Sequence, residues 1–230
     1  MRSLEVFMQA PVQHIVNQQV FWVSPERALF WENEQTLVVS DLHFGKTGHF
    51  RKEGIAMPQL VFKEDLQRLL ALIQHFSPKK LLVVGDLFHS VANKELDLFK
   101  KWRNDFPHLS FELVKGNHDI LNAAWYVNAG ITLLTNGLLI NGVCFTHDNE
   151  HCETSHTEEN PIRYTISGHI HPGIRVRGLG RQSLSLPCFY FGSSFAVLPA
   201  FSRFTGIALM EPKSGDCVFA IADNKLIKLC

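Results

Sequence analysis

The stretch Leu81-Leu82-Val83-Val84-Gly85-Asp86-Leu87-Phe88-His89 carries the pattern that decides the fold. Four consecutive apolar residues end at a glycine, and a carboxylate follows directly. Such a short apolar run, bounded by turn residues, is typical of a strand that is buried on both faces of a sheet. In open α/β sheets, ligands bind beyond the carboxyl ends of the strands. The stretch therefore predicts a central strand whose following polar residues lie at a binding edge.

The same pattern recurs along the chain and alternates with helical periodicity. Three other apolar runs, at 36–39, 111–114 and 143–146, end where polar residues begin. Apolar residues at helical spacing from near Pro58 to Phe76, and again over 94–106, predict two helices between the first three strands. This alternation indicates parallel crossovers and an α/β fold. From Ile131 onward we expect short strands without a long helix, and no linker or repeat interrupts the single domain predicted over residues 1–230.

Composition excludes several classes of protein. Hydrophobic residues make up 46% of the 230 residues and charged residues 19%, which excludes global disorder. Lys+Arg and Asp+Glu are both 22, so the chain is not coated with positive charge. No run of apolar residues is long enough to cross a membrane, and the N-terminus lacks the pattern of a secretory signal. Five scattered cysteines without a C-x-x-C pair predict free thiols and a cytoplasmic protein.

Oxygen and nitrogen ligands follow the four predicted strands and a fifth, later apolar run that ends before Gly168. Asp86 and His89 follow the 81–84 strand; the residues after the other strands are Asp41 and His43, then Asn117, His118 and Asp119, then His147, and finally His169 and His171. Side chains at i and i+2 of a strand share a face, so the Asp-x-His and His-x-His spacings predict pairs that converge. These ligand types suit borderline divalent metals. Asp86, in the middle strand, is the natural bridge between two such ions.

This ordered series resembles the calcineurin-like metallophosphoesterase superfamily, whose motifs read D-x-H, G-D-x-x-D, G-N-H-D/E, H and G-H-x-H. The resemblance implies a four-layer α-β-β-α sandwich. More narrowly, the chain is similar to ICC-like phosphoesterases, the ligase-associated DNA-damage-response endonucleases. Four stretches carry the narrower resemblance: 24–29 (SPERAL), 41–46 (DLHFGK), 168–172 (GHIHP) and 198–201 (LPAF).

The resemblance also implies a role for each motif residue. Asp41, His43 and His171 are expected to hold one metal, and Asn117, His147 and His169 the second, with Asp86 bridging. His118 matches the substrate-facing histidine of the family, and Asp119 beside it is expected to orient the His118 imidazole. His89 stands where the family commonly has aspartate, and we interpret it as a phosphate contact or a histidine at the site rim. Manganese is the expected metal, although the ligands also suit iron, zinc or nickel.

The arginines are unevenly distributed around this series. Residues 160–210 contain no Asp or Glu, whereas they contain Arg163, Arg175 and Arg177 together with two more arginines. Because arginine binds phosphate in a bidentate manner, we interpret this segment as a local basic rim for a phosphate-bearing substrate. Lys46 and Arg51 follow the first motif and are candidate contacts for the scissile phosphate.

The resulting functional hypothesis is a dimetal phosphoesterase that hydrolyses phosphodiester bonds. Hydroxide generated between the metals would attack phosphorus, and His118 would act as general acid. DNA is the expected substrate, single-stranded or flapped, with DNA ligase or repair proteins as partners that only the resemblance implies. The alternatives are a phosphatase or phosphodiesterase for small nucleotides and, least expected because every ligand position is filled, an inactive protein-binding scaffold. Fold does not decide between these substrates.

Overall fold

The apolar runs of the first half of the chain form a seven-stranded sheet. The computed structural model describes residues 9–45, 60–89, 94–148, 161–178 and 182–229. The strands are β1 (Val12–Val16), β2 (Gln19–Ser24), β3 (Ala28–Trp31), β4 (Thr36–Val39), β5 (Lys80–Val84), β6 (Ser110–Val114) and β7 (Thr132–Leu134), and they are ordered as in the sequence. The pairs from β1 to β4 are antiparallel, and those from β4 to β7 are parallel. The predicted parallel crossovers are therefore present.

In the described segments, three helices cover one face of this sheet. They are α1 (Leu60–Phe76), α2 (Lys94–Asn104) and α3 (Ala123–Asn128). Successive strand residues alternate between faces: Leu81 and Val83 pack with the helices, whereas Leu82 and Val84 pack toward the second sheet. This two-sided burial explains why β5 is a continuous apolar run rather than an alternating one.

The second sheet is built from the remainder of the chain. Its strands are β8 (Leu138–Ile140), β9 (Val143–Phe145), β10 (Tyr164–Ser167), β11 (Pro172–Arg177), β12 (Ser183–Phe191), β13 (Phe195–Val197), β14 (Ala208–Leu209), β15 (Cys217–Ala222) and β16 (Lys225–Leu229). β10 lies between β9 and β13 and is parallel to both. Apolar side chains of the two sheets, among them Phe145, Ile166 and Val84, form a shared core.

The mixed α/β class with two sheets is confirmed, together with both long helices and all four apolar strands that the sequence predicted. The antiparallel strands β1–β3 and the short helix α3 were not predicted. No helix follows Asn128 in the described segments, so the outer face of the second sheet lacks the second helical layer there. Loop and strand side chains such as Phe195 and Met210 pack on that face instead.

The structure also bears on the state of the cysteines and on membrane-spanning helices. Cys188 is a free thiol, but Cys144 is disulfide-bonded, so the expectation of free thiols was wrong for Cys144. The spacing of the cysteines gave no signal of this bond. Among the described helices, none combines the length and the apolar character that crossing a bilayer requires.

Candidate metal centre

The polar residues that follow the parallel strands lie where the carboxyl ends of both sheets meet. β4, β5 and β6 of the first sheet lead into Asp41, Asp86 and Asn117, while β9 and β10 of the second lead into His147 and His169. The structure divides most of the predicted ligands into two groups. They are Asp41, His43 and His171, and Asp86, His147 and His169; within each group the ligand atoms all lie within 4.8 Å of one another.

The first group is almost closed to solvent. His171 Nε2 lies 3.4 Å from His43 Nε2 and 3.4 Å from Asp41 Oδ1. Asp41 is fully buried, and its Oδ1 has no hydrogen-bond partner among the described residues. A buried carboxylate oxygen without a donor is costly unless a cation or proton compensates it. The donor set of this group therefore fits a divalent cation.

The second group centres on His147. Its Nδ1 faces the Val84 carbonyl oxygen at 3.3 Å, which leaves Nε2 directed into the site. There Nε2 lies 3.0 Å from Asn117 Oδ1, 3.1 Å from His169 Nδ1 and 3.4 Å from Asp86 Oδ2. One proton on Nε2 cannot satisfy all three neighbours, whereas a cation among four donor atoms can. Asn117 Oδ1 thus lies beside the second group, and its role as a metal ligand stays a prediction.

A backbone contact links the two groups. The His169 amide donates to Asp41 Oδ2 at 3.0 Å, so a residue of the second group fixes the carboxylate of the first. Among the described residues, the Asp86 carboxylate contacts the imidazole rings of His147 and His118 and the backbone amide of His118. Bridging by Asp86 therefore stays a prediction.

The ligands converge for a different reason than the strand spacing suggested. Asp41, His43, Asp86, His169 and His171 all have positive φ, between 50° and 66°. β4 ends at Val39 and β10 at Ser167, so the Asp-x-His and His-x-His pairs lie beyond the strands and do not follow strand alternation. Left-handed backbone is unfavourable for non-glycine residues and persists only where the surroundings impose it.

Glycines of the motifs supply part of that constraint. A Cβ added at Gly168 would lie 2.5 Å from Asp41 Oδ2, and one at Gly116 would lie within 3.0 Å of the Asp86 carboxylate and amide nitrogen. Gly85 has a φ of +78°, and a Cβ there would overlap the His147 ring. Each motif glycine thus lets a ligand from another motif approach closely.

We expect Gly116→Ala to abolish tight metal binding, because the new methyl group and the backbone and carboxylate of Asp86 cannot occupy the same space. Calorimetric titration with Mn²⁺ should show an affinity at least tenfold below that of the original protein, since a ligand of the site must move. Gly206→Ala is the matched control, as a Cβ there has nothing within 4 Å. Equal Mn²⁺ affinity in the two variants would contradict the proposed packing.

Electrostatics in the second group favour exchange of a proton for a cation. Burial raises the pKa of Asp86, but the hydrogen bond and charge of His147 outweigh it and lower this pKa to about 2. Burial lowers the pKa of His147, and the bond to Asp86 reverses this to about 9. Positive charge is therefore already stabilised at the place where a cation would bind, and metal binding would release a proton.

His118 lies at the open side of the centre. Its side chain is 42% exposed, and its Nε2 is 4.0 Å from Asp86 Oδ2. The His118 amide donates to Asp86 Oδ1 at 2.9 Å, which ties its backbone to the second group. The ring of His89 lies against it, with centroids 4.3 Å apart. His89 is thus a neighbour of His118, at the rim of the centre.

Asp119 does not have the contact that the sequence suggested. It is fully buried, and its two carboxylate oxygens accept hydrogen bonds from the Phe88 amide at 3.1 Å and the Gly116 amide at 2.9 Å. Burial raises its pKa to about 6 despite these two donors. Since both contacts are to backbone, Asp119 joins the loops after β5 and β6, and the expectation that it orients the His118 imidazole is corrected.

The predicted basic rim is only partly brought to the centre. Arg163 precedes β10, whereas His169 follows it, so Arg163 lies at the opposite end of the strand and its amide bonds the Gly142 carbonyl. The interpretation of Arg163 as a substrate contact was therefore wrong. Arg175 and Arg177 are exposed on β11, which begins directly after His171. Lys46 and Arg51 lie outside the described residues.

A buried ionic network behind Asp41 was not predicted. Arg68 of α1 contacts Glu26 Oε2 at 2.9 Å, Asp65 Oδ1 at 2.7 Å and the Phe201 carbonyl at 3.0 Å. The Phe201 amide in turn donates to the carbonyl of Ser40, next to the ligand. The network therefore joins the 24–29 and 198–201 stretches. An Asp–Arg pair on a helix gives no signal of such a role, because surface pairs have the same spacing.

A cleft of about 470 Å³ opens beside the second group. Its lining includes Asn117, His147 and His169, together with residues 135–137 of the β7–β8 turn. Lys115 and Ile120 also contribute to its lining. The cleft is large enough for a nucleotide-sized group next to the candidate metal ligands.

Comparisons with known proteins agree with this architecture. A model of the calcineurin-like phosphoesterase family matches residues 35–137, a region that includes Asp41, His43, Asp86, Asn117 and His118. Among curated protein sequences, none matches the chain significantly.

Solved structures were also compared. The nuclease MPE of Pseudomonas putida is 24% identical, with a TM-score of 0.75 over 95% of this chain and 98% of the other, and it shares the fold. The phosphoesterase Yfce of E. coli is 14% identical and covers 84% of this chain and 97% of its own, but with a TM-score of only 0.41. Residues 35–137 therefore match the calcineurin-like phosphoesterase family, and this match, together with the two-sheet fold and the paired ligand groups, identifies a metal-dependent hydrolase.

Proposed function

We propose that the protein hydrolyses phosphodiester bonds in nucleic acid. One observation carries the proposal: two adjacent ligand groups lie beside the partly exposed His118 at one edge of the fold. The arrangement offers places for two cations and a proton donor within one open site. Such an arrangement suits in-line displacement at phosphorus.

The first cation would be held by Asp41, His43 and His171, and the second by Asn117, His147 and His169, with Asp86 between them. When bound, two divalent cations supply a hydroxide nucleophile near neutral pH and neutralise charge on the phosphate oxygens. Manganese is the proposed metal, and iron, zinc and nickel are the alternatives to be compared with it.

His118 would donate the proton that the leaving alkoxide needs. Its exposure lets a substrate approach, and the bond from its amide to Asp86 holds it near the second group. Asp119 supports this position indirectly, because it ties the Gly116 amide to the loop that carries Asp86 and Phe88.

Nucleic acid is the proposed substrate class because a nuclease has the same fold and because two exposed arginines extend from the centre. The cleft beside His147 supports the second candidate, a phosphodiesterase for single nucleotides. DNA ligase or repair partners are proposed from the subfamily resemblance alone, and single-stranded or flapped DNA and a cytoplasmic location are proposed from the sequence. A scaffold without activity is the least supported, since no ligand position is lost.

Parallel assays with added Mn²⁺ would test the proposal. The substrates are bis-p-nitrophenyl phosphate, p-nitrophenyl phosphate, and single- and double-stranded DNA. We expect cleavage of the diester and of DNA, and chelation with EDTA should abolish both. Hydrolysis of the monoester alone would exclude a nuclease, and cleavage of nucleotide diesters without DNA would favour the second candidate.

A further inference from the structure

The hairpin of β11 and β12 extends beyond the edge of the second sheet at which the metal centre lies. Ser167 of β10, Val197 of β13 and Tyr190 of β12 mark this edge, because they are the aligned residues of neighbouring strands. β12 begins seven residues earlier, at Ser183, and pairs there with β11. β12 stays paired with β15 as far as Cys188, so at about 3.4 Å per residue the hairpin reaches roughly 15 Å beyond the last residue that β15 flanks. We call this projection, residues 174–177 and 183–186, the arm.

One face of the arm continues the inner face of the sheet. Phe189 and Phe191 of β12 pack in the core between the two sheets, whereas Leu186, Cys188 and Tyr190 pack on the outer side. Alternation therefore places Ser183 and Ser185 on the inner side.

Strand pairing places two arginines on the same inner face. Arg175 lies opposite Ser185, and Arg177 lies opposite Ser183. Directly paired residues of antiparallel strands project to the same face. Ile174 agrees with this, since it packs in the outer cluster. Beyond the sheet edge, this inner face no longer packs against the first sheet. Arg175, Arg177 and the two serines are accordingly all exposed.

The composition of the arm matches a phosphate backbone. Arg175 and Arg177 are two residues apart on one strand, so their Cα atoms are about 7 Å apart and their side chains can contact different phosphates. The serines opposite add hydroxyl donors. Residues 161–210 contain no Asp or Glu, so no carboxylate of this segment competes for the guanidinium groups. The base of the arm is Pro172, which directly follows the candidate ligand His171.

We propose that the inner face of the arm binds the phosphate backbone of a nucleic-acid strand on one side of the scissile phosphate. The inference rests on the proposed function and deepens it, since an arm of this reach serves a polynucleotide and not a single nucleotide. Arg175 and Arg177 hold the strand, and the metal ligands and His118 act on the phosphate at its base.

The test removes both charges in Arg175→Ala/Arg177→Ala. We expect kcat/KM for a long single-stranded oligonucleotide to fall at least tenfold, with hydrolysis of bis-p-nitrophenyl phosphate unchanged. Fluorescence anisotropy of the oligonucleotide in EDTA should show weaker binding, and its salt dependence should become shallower by a slope of about 1.4, from two lost phosphate contacts. Arg163→Ala is the matched control. It should leave the hydrolysis of both substrates unchanged, because Arg163 lies at the opposite end of β10 from the metal centre.

Arg175→Lys/Arg177→Lys separates charge from geometry, since it should retain most of the salt dependence while losing part of the affinity. Oligonucleotide binding and cleavage that are unchanged in the alanine variant would overturn the proposal, as would an equal loss for bis-p-nitrophenyl phosphate. Failure of the original protein to cleave any diester would instead refute the proposed function, whereas the binding measurement tests the arm without catalysis.

Discussion

Replacing His118 with alanine is expected to lower kcat for cleavage of DNA by about 10²–10⁴-fold, which is the usual contribution of a general acid. The loss should be smaller for bis-p-nitrophenyl phosphate, because p-nitrophenolate is a weakly basic leaving group that needs little protonation. Metal content should not change, since His118 Nε2 lies 4.0 Å from Asp86 and outside both ligand groups. The measurement is steady-state kinetics on both substrates, together with metal analysis of each variant.

His108→Ala is the control for the loss of a histidine in itself, because His108 is exposed and precedes β6, at the opposite end of this strand from the centre. It should retain full activity. Loss of bound metal in His118→Ala would make His118 a ligand. An equal loss of kcat on both substrates would show that it does not protonate the leaving group.

Arg68→Met should reduce the free energy of unfolding by about 3–5 kcal/mol, as expected when one partner of a buried ionic network is removed. The side chain is 11% exposed, and its removal leaves the carboxylates of Glu26 and Asp65, 7% and 4% exposed, without their main counter-charge. The Phe201 and Glu26 carbonyls also lose a donor. Urea unfolding monitored by circular dichroism measures this loss directly.

Arg203→Ala provides the comparison within the same network. Arg203 contacts the same Glu26 Oε2 at 3.2 Å, but its side chain is 42% exposed. Because solvent screens exposed ion pairs, we expect a loss of about 1 kcal/mol or less. Similar losses in the two variants would show that burial of Arg68 adds nothing, and would contradict the assignment of the network as a support for the 198–201 stretch.

Much of the fold could be predicted because its signals are local. Each apolar run ends at a polar residue, and Phe62, Leu66 and Leu69 recur at helical spacing, so strands, helices and their order are encoded within short windows. The candidate ligands could be predicted for the same reason, since each follows one of these runs. β1 and β2 were missed because Gln13, His14 and Gln19 interrupt their apolar sequence, and β3 because no Asp or His motif follows it.

The remaining features depend on contacts between distant parts of the chain. Arg68 contacts residues 42 and 133 positions away, and no window of sequence contains both. Arg163 was wrongly predicted to lie at the centre because it shares an acid-free segment of sequence with Arg175. In the structure, the length of β10 separates Arg163 from the centre. The role of Asp119 depends on two backbone amides from different loops, which only the folded chain brings together.

The left-handed backbone at five candidate ligands has a consequence for protein engineering. A designer who transplanted only the side chains of Asp41, His43 and His171 onto another parallel sheet would place them on ordinary extended residues, and they would point apart. The transferable unit is each loop with its φ values, together with the glycine of the neighbouring loop that leaves room for it. A graft of Gly168 with the 40–43 loop should therefore recover metal binding where the ligands alone do not.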